Sequence, residues 1–253
     1  MTVRWPAEAI WERVAPLLPG FTVEVLPELD STNSELMRRA RAGLAEPILL
    51  LAQRQTAGRG RQGRAWQSQP GASLTFSIGL ALEPTDWSGL SLAVGLAAAE
   101  ALHPRVRLKW PNDLWVDDRK LGGILIETGT LAGTKARFAV AGIGINIAAR
   151  APGPEYSTQP ISLQEIDPGQ DAASALLAVA PAVNRAMQAF ERHGFAPLRQ
   201  RFHARDTLAG RAVRLTDGTT GLADGVDERG ALVVHTAAGL QAVTSSEVSV
   251  RPA

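Results

Sequence analysis

Four strand-like segments follow one another between residues 106 and 143 with no helical pattern between them. Turn signals at Pro111-Asn112 and Asp117-Asp118 separate the first three segments. Parallel strands need a crossover of about a dozen residues or more, usually a helix, whereas antiparallel strands need only a turn. This feature predicts an α+β fold with a mixed, largely antiparallel central sheet packed with helices, and it argues against a dinucleotide-binding βαβ unit. The segments are residues 106–108, 114–116, 123–127 and 138–143.

The preceding and following sequence supplies further elements for this sheet. Residues 48–52 predict a fully buried strand, and residues 73–80 predict a half-buried one. Thr32 and Glu35 form a capping-box pattern, so a helix is expected to begin at Thr32 and to end near Gly43. Further helices are predicted at residues 86–102, 171–192 and 197–203.

The C-terminal part of the chain has a different sequence pattern. After Asp206, short β-prone runs alternate with glycine turns such as Asp217-Gly218 and Arg229-Gly230. This pattern predicts a small SH3-like β-barrel. We therefore expect two domains, residues 1–206 and residues 207–253.

The connection between the strands at 48–52 and 73–80 is rich in glycine and arginine. It reads QTAGRGRQGRAW from Gln55 to Trp66, and no acidic residue occurs between Gln53 and Gln69. Glycine lets a backbone approach a ligand, and the arginine fork matches phosphate or carboxylate oxygens. The loop is therefore predicted to bind an anion. Taken alone, it would also suit a solvated surface or one that contacts nucleic acid.

Composition narrows the function classes. Lys and Arg number 26 against 25 Asp and Glu, so the overall charge gives no reason to expect a nucleic-acid partner. The absence of cysteine excludes disulfides, thiolate catalysis and cysteine-based zinc sites, and the scattered histidines predict no metal site. No apolar run is long enough to span a bilayer, so no membrane association and a cytoplasmic location are expected.

Five short motifs occur in order along the chain: DSTN at 30–33, the arginine loop at 55–66, KWPND at 109–113, DRKLGGIL at 118–125 and GIGIN at 142–146. In this order they resemble the biotin protein ligases, also called holocarboxylase synthetases. The resemblance implies a class II synthetase-like fold and a two-step reaction with biotin and ATP as substrates. Biotinyl-5′-AMP and pyrophosphate form first, with Mg²⁺ on the triphosphate, and the biotinyl group then passes to one lysine of a biotin carboxyl carrier protein.

The resemblance also assigns site residues. Arg61 and Lys120 are expected to act in catalysis by holding the reacting carboxylate and phosphate oxygens. The remaining residues expected to bind biotin or its adenylate are Ser31, Thr32, Asn33, Gln55, Arg59, Gly60, Trp66 and Gly123, with Gly122 beside the last giving the ligand room. Those expected to bind ATP are Arg64, Lys109, Asn112, Asp113 and Asn146.

The resemblance also bears on DNA binding, on the oligomeric state and on alternative activities. Many relatives carry an N-terminal helix-turn-helix, but residues 1–30 are too few for that module, so a short form without specific DNA binding is expected. A homodimer stays open beside a monomer. The alternative activity is that of a lipoate or octanoate ligase or transferase of related fold, whose characteristic loop differs from residues 58–64. Two further hypotheses are a nucleic-acid-binding protein and a biotin sensor without catalysis.

Overall fold

The computed structural model describes residues 3–149, 158–244 and 250–252. Its helices are α1 (Ala7–Val14), α2 (Thr32–Arg41), α3 (Leu90–Leu102), α4 (Ala172–His193) and α5 (Arg199–His203). Its strands in the first part of the chain are β1 (Thr22–Leu29), β2 (Ile48–Gln55), β3 (Ser73–Leu82), β4 (Arg107–Lys109), β5 (Asp113–Val116), β6 (Arg119–Thr130) and β7 (Arg137–Asn146). The later strands are β8 (Ala212–Leu215), β9 (Thr220–Val226), β10 (Leu232–Thr236), β11 (Gly239–Val243) and β12 (Val250–Pro252).

Strands β1 to β7 form one sheet in the order β1-β2-β3-β7-β6-β5-β4. β1 and β2 are parallel and are joined through helix α2, whereas the other neighbouring pairs are antiparallel. The predicted mixed, largely antiparallel sheet is confirmed. The four consecutive segments that predicted it are β4 to β7. Strand β1 and helix α1 were not predicted from the sequence.

Helices cover both faces of the central strands. Alternate residues of β2 point to opposite sides: Leu49 and Leu51 belong to the larger core under α3 and α4, and Leu50 belongs to a smaller core under α2. The prediction that residues 73–80 are half-buried is therefore wrong, because β3 lies between these two layers and is buried along both faces. Its small residues, Ser77 and Gly79, accommodate the close approach of α2 and Phe138.

The start of helix α2 differs from the prediction. Ser31 is the N-cap, and its side chain accepts a hydrogen bond from the Ser34 N–H at 3.4 Å. The predicted capping box of Thr32 and Glu35 is wrong, because Thr32 is already the first helical residue and the Glu35 carboxylate pairs with arginines of the next turn. One of these, Arg38, also binds Asp30 and lowers the pKa of that carboxyl to about 2.

The C-terminal strands form a separate antiparallel sheet in the order β11-β10-β9-β8-β12, as an SH3-like domain would. The chain leading into it runs beside β4: the Leu108 N–H donates to the Arg205 carbonyl at 2.9 Å, and the Thr207 N–H donates to the Leu108 carbonyl at 3.0 Å. The Trp110 indole also donates to the Gly230 carbonyl at 3.0 Å. These contacts fix the C-terminal sheet next to the β4–β5–β6 end of the central sheet.

Among the residues that the structure describes, no helix combines the length and the apolar character needed to cross a membrane.

Candidate active site

A pocket of about 980 Å³ opens on the central sheet, between the arginine loop, the end of β2, the β4–β5 turn and strands β6 and β7. This volume is typical of a site for a small organic ligand. Every residue that the sequence assigned to biotin, to ATP or to catalysis lines this pocket, except Gly122. The structure therefore brings all five motifs together at one place, although they are spread over residues 30–146.

One end of the pocket is a buried polar network. The Thr32 N–H donates to Gln55 Oε1 at 2.7 Å, and the Thr32 hydroxyl lies 3.1 Å from the same oxygen. The Ser77 hydroxyl lies 2.6 Å from both Thr32 Oγ1 and Asn33 Oδ1. Since buried polar groups are costly to leave unpaired, this network fixes amide and hydroxyl groups in defined orientations at the pocket wall.

Asn33 is held in place from two further directions. Its amide nitrogen donates to the Leu125 carbonyl at 3.2 Å and to the Glu127 carboxylate at 2.9 Å. Its oxygen packs directly against the backbone of Gly142, where an added Cβ would overlap it. Glu127 also pairs with Arg59 at 3.0 Å, so this carboxylate links the arginine loop to the polar network.

The arginine loop folds back on itself over the pocket. The Trp66 N–H donates to the Gly58 carbonyl at 2.8 Å, and the Gly60 N–H donates to the Arg64 carbonyl at 2.7 Å. The Trp66 ring lies so close to Gly144 that a Cβ there would overlap the indole. This packing anchors the loop. The Trp66 Nε1 is buried without a hydrogen-bond partner among the described residues, so one donor is left unsatisfied.

Arg61 is the most enclosed cation of the loop. Its guanidinium lies 3.4 Å from Asn112 Oδ1 on the opposite wall. Burial lowers the pKa of Arg61 from its ordinary value; the Asp113 carboxylate opposes that shift, and Arg64 adds to it. An arginine stays charged at physiological pH even so. This partly desolvated cation is therefore suited to an anionic ligand that would replace its lost hydration.

The opposite end of the pocket carries charged residues of β4, β5 and β6. Lys120 Nζ pairs with Asp113 Oδ1 at 2.7 Å across the β5–β6 hairpin, and both side chains are partly buried. Lys109 Nζ lies 5.2 Å from the centroid of the Trp115 ring, a cation–π contact. The Asn112 amide donates to the Ile124 carbonyl at 2.9 Å and thereby fixes the turn that follows Lys109.

The structure adds detail to two of the predicted site residues. The amide nitrogen of Asn146, a residue expected to bind ATP, donates to the Lys120 and Ile161 carbonyls at 3.2 Å each. Its side chain therefore ties the Lys120 strand to residue 161. Gly122, expected to give the ligand room, faces the Gly144 carbonyl of the neighbouring strand, so its missing side chain serves strand pairing, whereas Gly123 does line the pocket.

Several residues of the site were missed from the sequence. Ser77 is buried in a strand and gave no signal beyond its small size, and Glu127 looked like an ordinary charge in a strand. Asp118 begins the DRKLGGIL motif but was given no role beyond a turn, and Arg211 lies in the C-terminal domain, yet both line the pocket. Only the folded chain brings them to the site.

The chain matches known families over both of its parts. Residues 25–146 match the "Biotin/lipoate A/B protein ligase family", and residues 209–251 match the "Biotin protein ligase C terminal domain". Both matches coincide with units of the fold: the first contains β2 to β7 and the pocket motifs, and the second contains β8 to β11.

Individual relatives agree. The chain is 37% identical to the bifunctional ligase/repressor BirA of Escherichia coli over 93% of this chain and 76% of the relative. It is 34% identical to the biotin–[acetyl-CoA-carboxylase] ligase of Paracoccus denitrificans over 88% of this chain and 98% of the relative. Among solved structures, the biotin protein ligase of Aquifex aeolicus in complex with biotin and ATP is 31% identical, with a TM-score of 0.76 and coverage of 91% and 99%.

Proposed function

The chain belongs to the biotin protein ligase family, and on that premise we propose which of its residues carry the reaction. It is an ATP-dependent ligase that activates biotin and transfers it to a biotin-dependent carboxylase. A biotin carboxylate oxygen attacks the α-phosphorus of ATP, the bond to the bridging oxygen breaks, and pyrophosphate leaves. The acceptor amine then attacks the acyl carbon, and AMP leaves. The relatives from Paracoccus denitrificans and Aquifex aeolicus are ligases for biotin, which sets aside the lipoate or octanoate alternative.

We propose that the polar end of the pocket binds the ureido ring of biotin through Ser31, Thr32, Asn33 and Gln55. The observation that supports this is the network that joins Thr32, Asn33 and Gln55, in which backbone and side-chain partners hold each group in place. Ser31 lines the pocket beside them as the N-cap of α2. A neutral ring with paired donors and acceptors needs such preset partners, because any group left unpaired would cost about 1 to 3 kcal/mol. Trp66 and Gly144 would form the apolar wall beside it.

The cations of the pocket would hold the reacting anions. Arg61 and Lys120 approach from the loop and from the sheet, so a carboxylate and a phosphate between them would be held together and their charge neutralised where it develops. We assign Arg59, Gly60 and Gly123 to the adenylate. Arg64, Lys109, Asn112, Asp113 and Asn146 are assigned to the ATP side, with Asn146 acting through the backbone that it holds.

A Mg²⁺ ion on the triphosphate fits the donors of this site. Mg²⁺ in nucleotide sites commonly uses one or two carboxylates together with phosphate oxygens. Asp113 is the candidate ligand, since it lines the pocket beside Asn112 and its Oδ1 already binds a cation, Lys120. The metal would supply charge neutralisation at the phosphates.

Partners and location are proposed on narrower grounds. The acceptor would be one lysine of a biotin carboxyl carrier protein. We propose no specific nucleic-acid partner, because the basic residues are balanced by acidic ones. A homodimer remains one of two oligomeric states to test, and a cytoplasmic location is proposed. The domain boundary would lie between residues 206 and 207, where the chain runs beside β4 before it enters the C-terminal sheet.

The activity is tested by isotope exchange between pyrophosphate and ATP. With Mg²⁺, the protein should catalyse exchange only when biotin is added, and lipoate or octanoate as the sole acid should not replace it. Biotinyl-5′-AMP should accumulate before any acceptor protein is present. Exchange that ignores biotin, or a preference for lipoate, would contradict the proposal.

The substitution Arg61→Gly is expected to keep adenylate synthesis measurable but to let the adenylate escape. Loss of a charged hydrogen-bonding partner removes about 1.5 to 3 kcal/mol, and this loss acts mainly on dissociation. The released mixed anhydride should then biotinylate lysines of an unrelated protein present in the assay. Arg54→Gly is the control, since Arg54 pairs with Glu28 and is absent from the pocket lining. Bystander labelling and an adenylate off-rate equal to those of the parent would remove Arg61 from this role.

A further inference from the structure

Arg211 belongs to the C-terminal domain but reaches the pocket of the catalytic domain. It directly precedes β8, and its backbone is fixed by hydrogen bonds to Leu208 and Ala223. Its side chain lines the same pocket as Lys120 and is 39% exposed. A partly exposed cation from one domain therefore lies at the edge of a site built by the other.

The partner of Arg211 is Asp118, whose Oδ1 lies 2.6 Å from the guanidinium. Asp118 is in the two-residue turn between β5 and β6, where Asp117 and Asp118 both have positive φ. Asp118 is 62% exposed. Ion pairs exposed to this extent contribute little free energy, so Asp118 holds Arg211 only weakly.

A phosphate group is a better partner for Arg211 than this carboxylate. It carries more charge, and it accepts the two parallel hydrogen bonds of a guanidinium fork. Lys120 is two residues beyond Asp118 in the chain, so an anion held by Lys120 would extend toward the Asp118–Arg211 end of the pocket. The neighbouring cation Arg119 is already paired with Glu165 at 2.9 Å.

We propose that Arg211 is a nucleotide-binding residue contributed by the C-terminal domain. When ATP binds, the Arg211 guanidinium separates from Asp118 and binds the outer phosphates. This inference rests on the proposed function. The outer phosphates leave as pyrophosphate in the first step, so Arg211 acts in adenylation and has no role in transfer from a finished adenylate. The pocket thereby receives a part of its ATP site only when both domains are in place.

The test replaces Arg211 with methionine and measures the KM for ATP in the exchange reaction. We expect a rise on the order of tenfold, as for loss of one charge-assisted contact. Single-turnover transfer from preformed biotinyl-5′-AMP to the carrier protein should stay at the parent's rate. In calorimetric titrations, ATP should bind more weakly to the variant, whereas AMP, which lacks the outer phosphates, should bind equally well. Arg211→Lys keeps the charge without the fork and should give an intermediate KM.

Arg105→Met is the matched control. Arg105 pairs with Asp117 at 2.5 Å in the same turn but does not line the pocket, so its loss should leave the KM for ATP unchanged. Asp118→Asn separates a binding role from a structural one. If Arg211 binds phosphate, removing its competing carboxylate should leave the KM for ATP equal or lower. A rise like that of Arg211→Met would instead show that the ion pair positions the hairpin of Lys120, and it would overturn the proposal.

Two more outcomes also overturn it. An unchanged KM for ATP in Arg211→Met would exclude phosphate binding. Slower transfer from preformed adenylate, with adenylation intact, would assign Arg211 to docking of the carrier protein. Failure of the parent protein itself to catalyse biotin-dependent exchange would reject the proposed function, and this outcome is distinct because it appears before any variant is compared.

Discussion

Lys120→Gln is expected to slow formation of biotinyl-5′-AMP by about 100- to 1,000-fold, the usual effect of removing one electrostatic contact to a transition state. Lys120 lines the pocket on β6 opposite Arg61, where charge would build on the reacting phosphate. Glutamine keeps most of the length of the side chain but carries no charge. Because the cation acts on charge that appears only during the reaction, biotin affinity should change little.

This result is measured as a single-turnover rate at saturating biotin and ATP, together with a biotin titration. Lys135→Gln is the matched control, since Lys135 is exposed between β6 and β7 and is absent from the pocket lining. A Lys120→Gln rate within about threefold of the parent would show that the assigned role is wrong. A large loss of biotin affinity would point to a ground-state contact instead.

Gly142→Ala is expected to weaken biotin binding by about 5- to 150-fold, the equivalent of the 1 to 3 kcal/mol that a buried polar group costs when it is left unpaired. The new Cβ would overlap the carboxamide oxygen of Asn33. Asn33 has little room to move, because it is 3% exposed and is tied to Leu125 and Glu127. The substitution should therefore disrupt the polar network at the end of the pocket assigned to the ureido ring.

Biotin titration by calorimetry checks this expectation. Gly79→Ala is the control, because its Cβ would meet the Phe138 ring in the core and not the pocket. Both variants should melt at a lower temperature than the parent, and only Gly142→Ala should lose biotin affinity when still folded. If folded Gly142→Ala binds biotin as tightly as Gly79→Ala does, Asn33 does not bind biotin.

The local sequence predicted much of the central sheet because its signals are short in range. The meander from β4 to β7 follows from apolar runs separated by turns, and these need no distant contact to be recognised. Strand β1 was missed, since Pro27 interrupts its alternation of charged and apolar residues and its burial is only partial. Residues 73–80 were predicted half-buried, because no local pattern shows that a second helix, α2, covers the other face.

The site, like the sheet, was predictable only in part. The residues with a motif around them, such as Arg61 and Lys120, were found in advance, and they do line one pocket. Their roles in the reaction stay predictions. The partners of these residues were not found, because Ser77, Glu127 and Arg211 carry no motif and meet the site only through sheet pairing or domain contact.

By itself, the sequence determined the class of fold, the family and the motif residues of the pocket, because each depends on residue types and their spacing along the chain. The tertiary structure decided which atoms pair. It paired Asn146 with the backbone of Lys120, Glu127 with both Asn33 and Arg59, and Arg211 with Asp118. The physical reason is that hydrogen bonds and ion pairs form only when the donor and acceptor atoms come within about 3 Å of each other. The partners in these pairs are separated by 26 to 94 residues along the chain, a distance over which only the packed fold sets the positions.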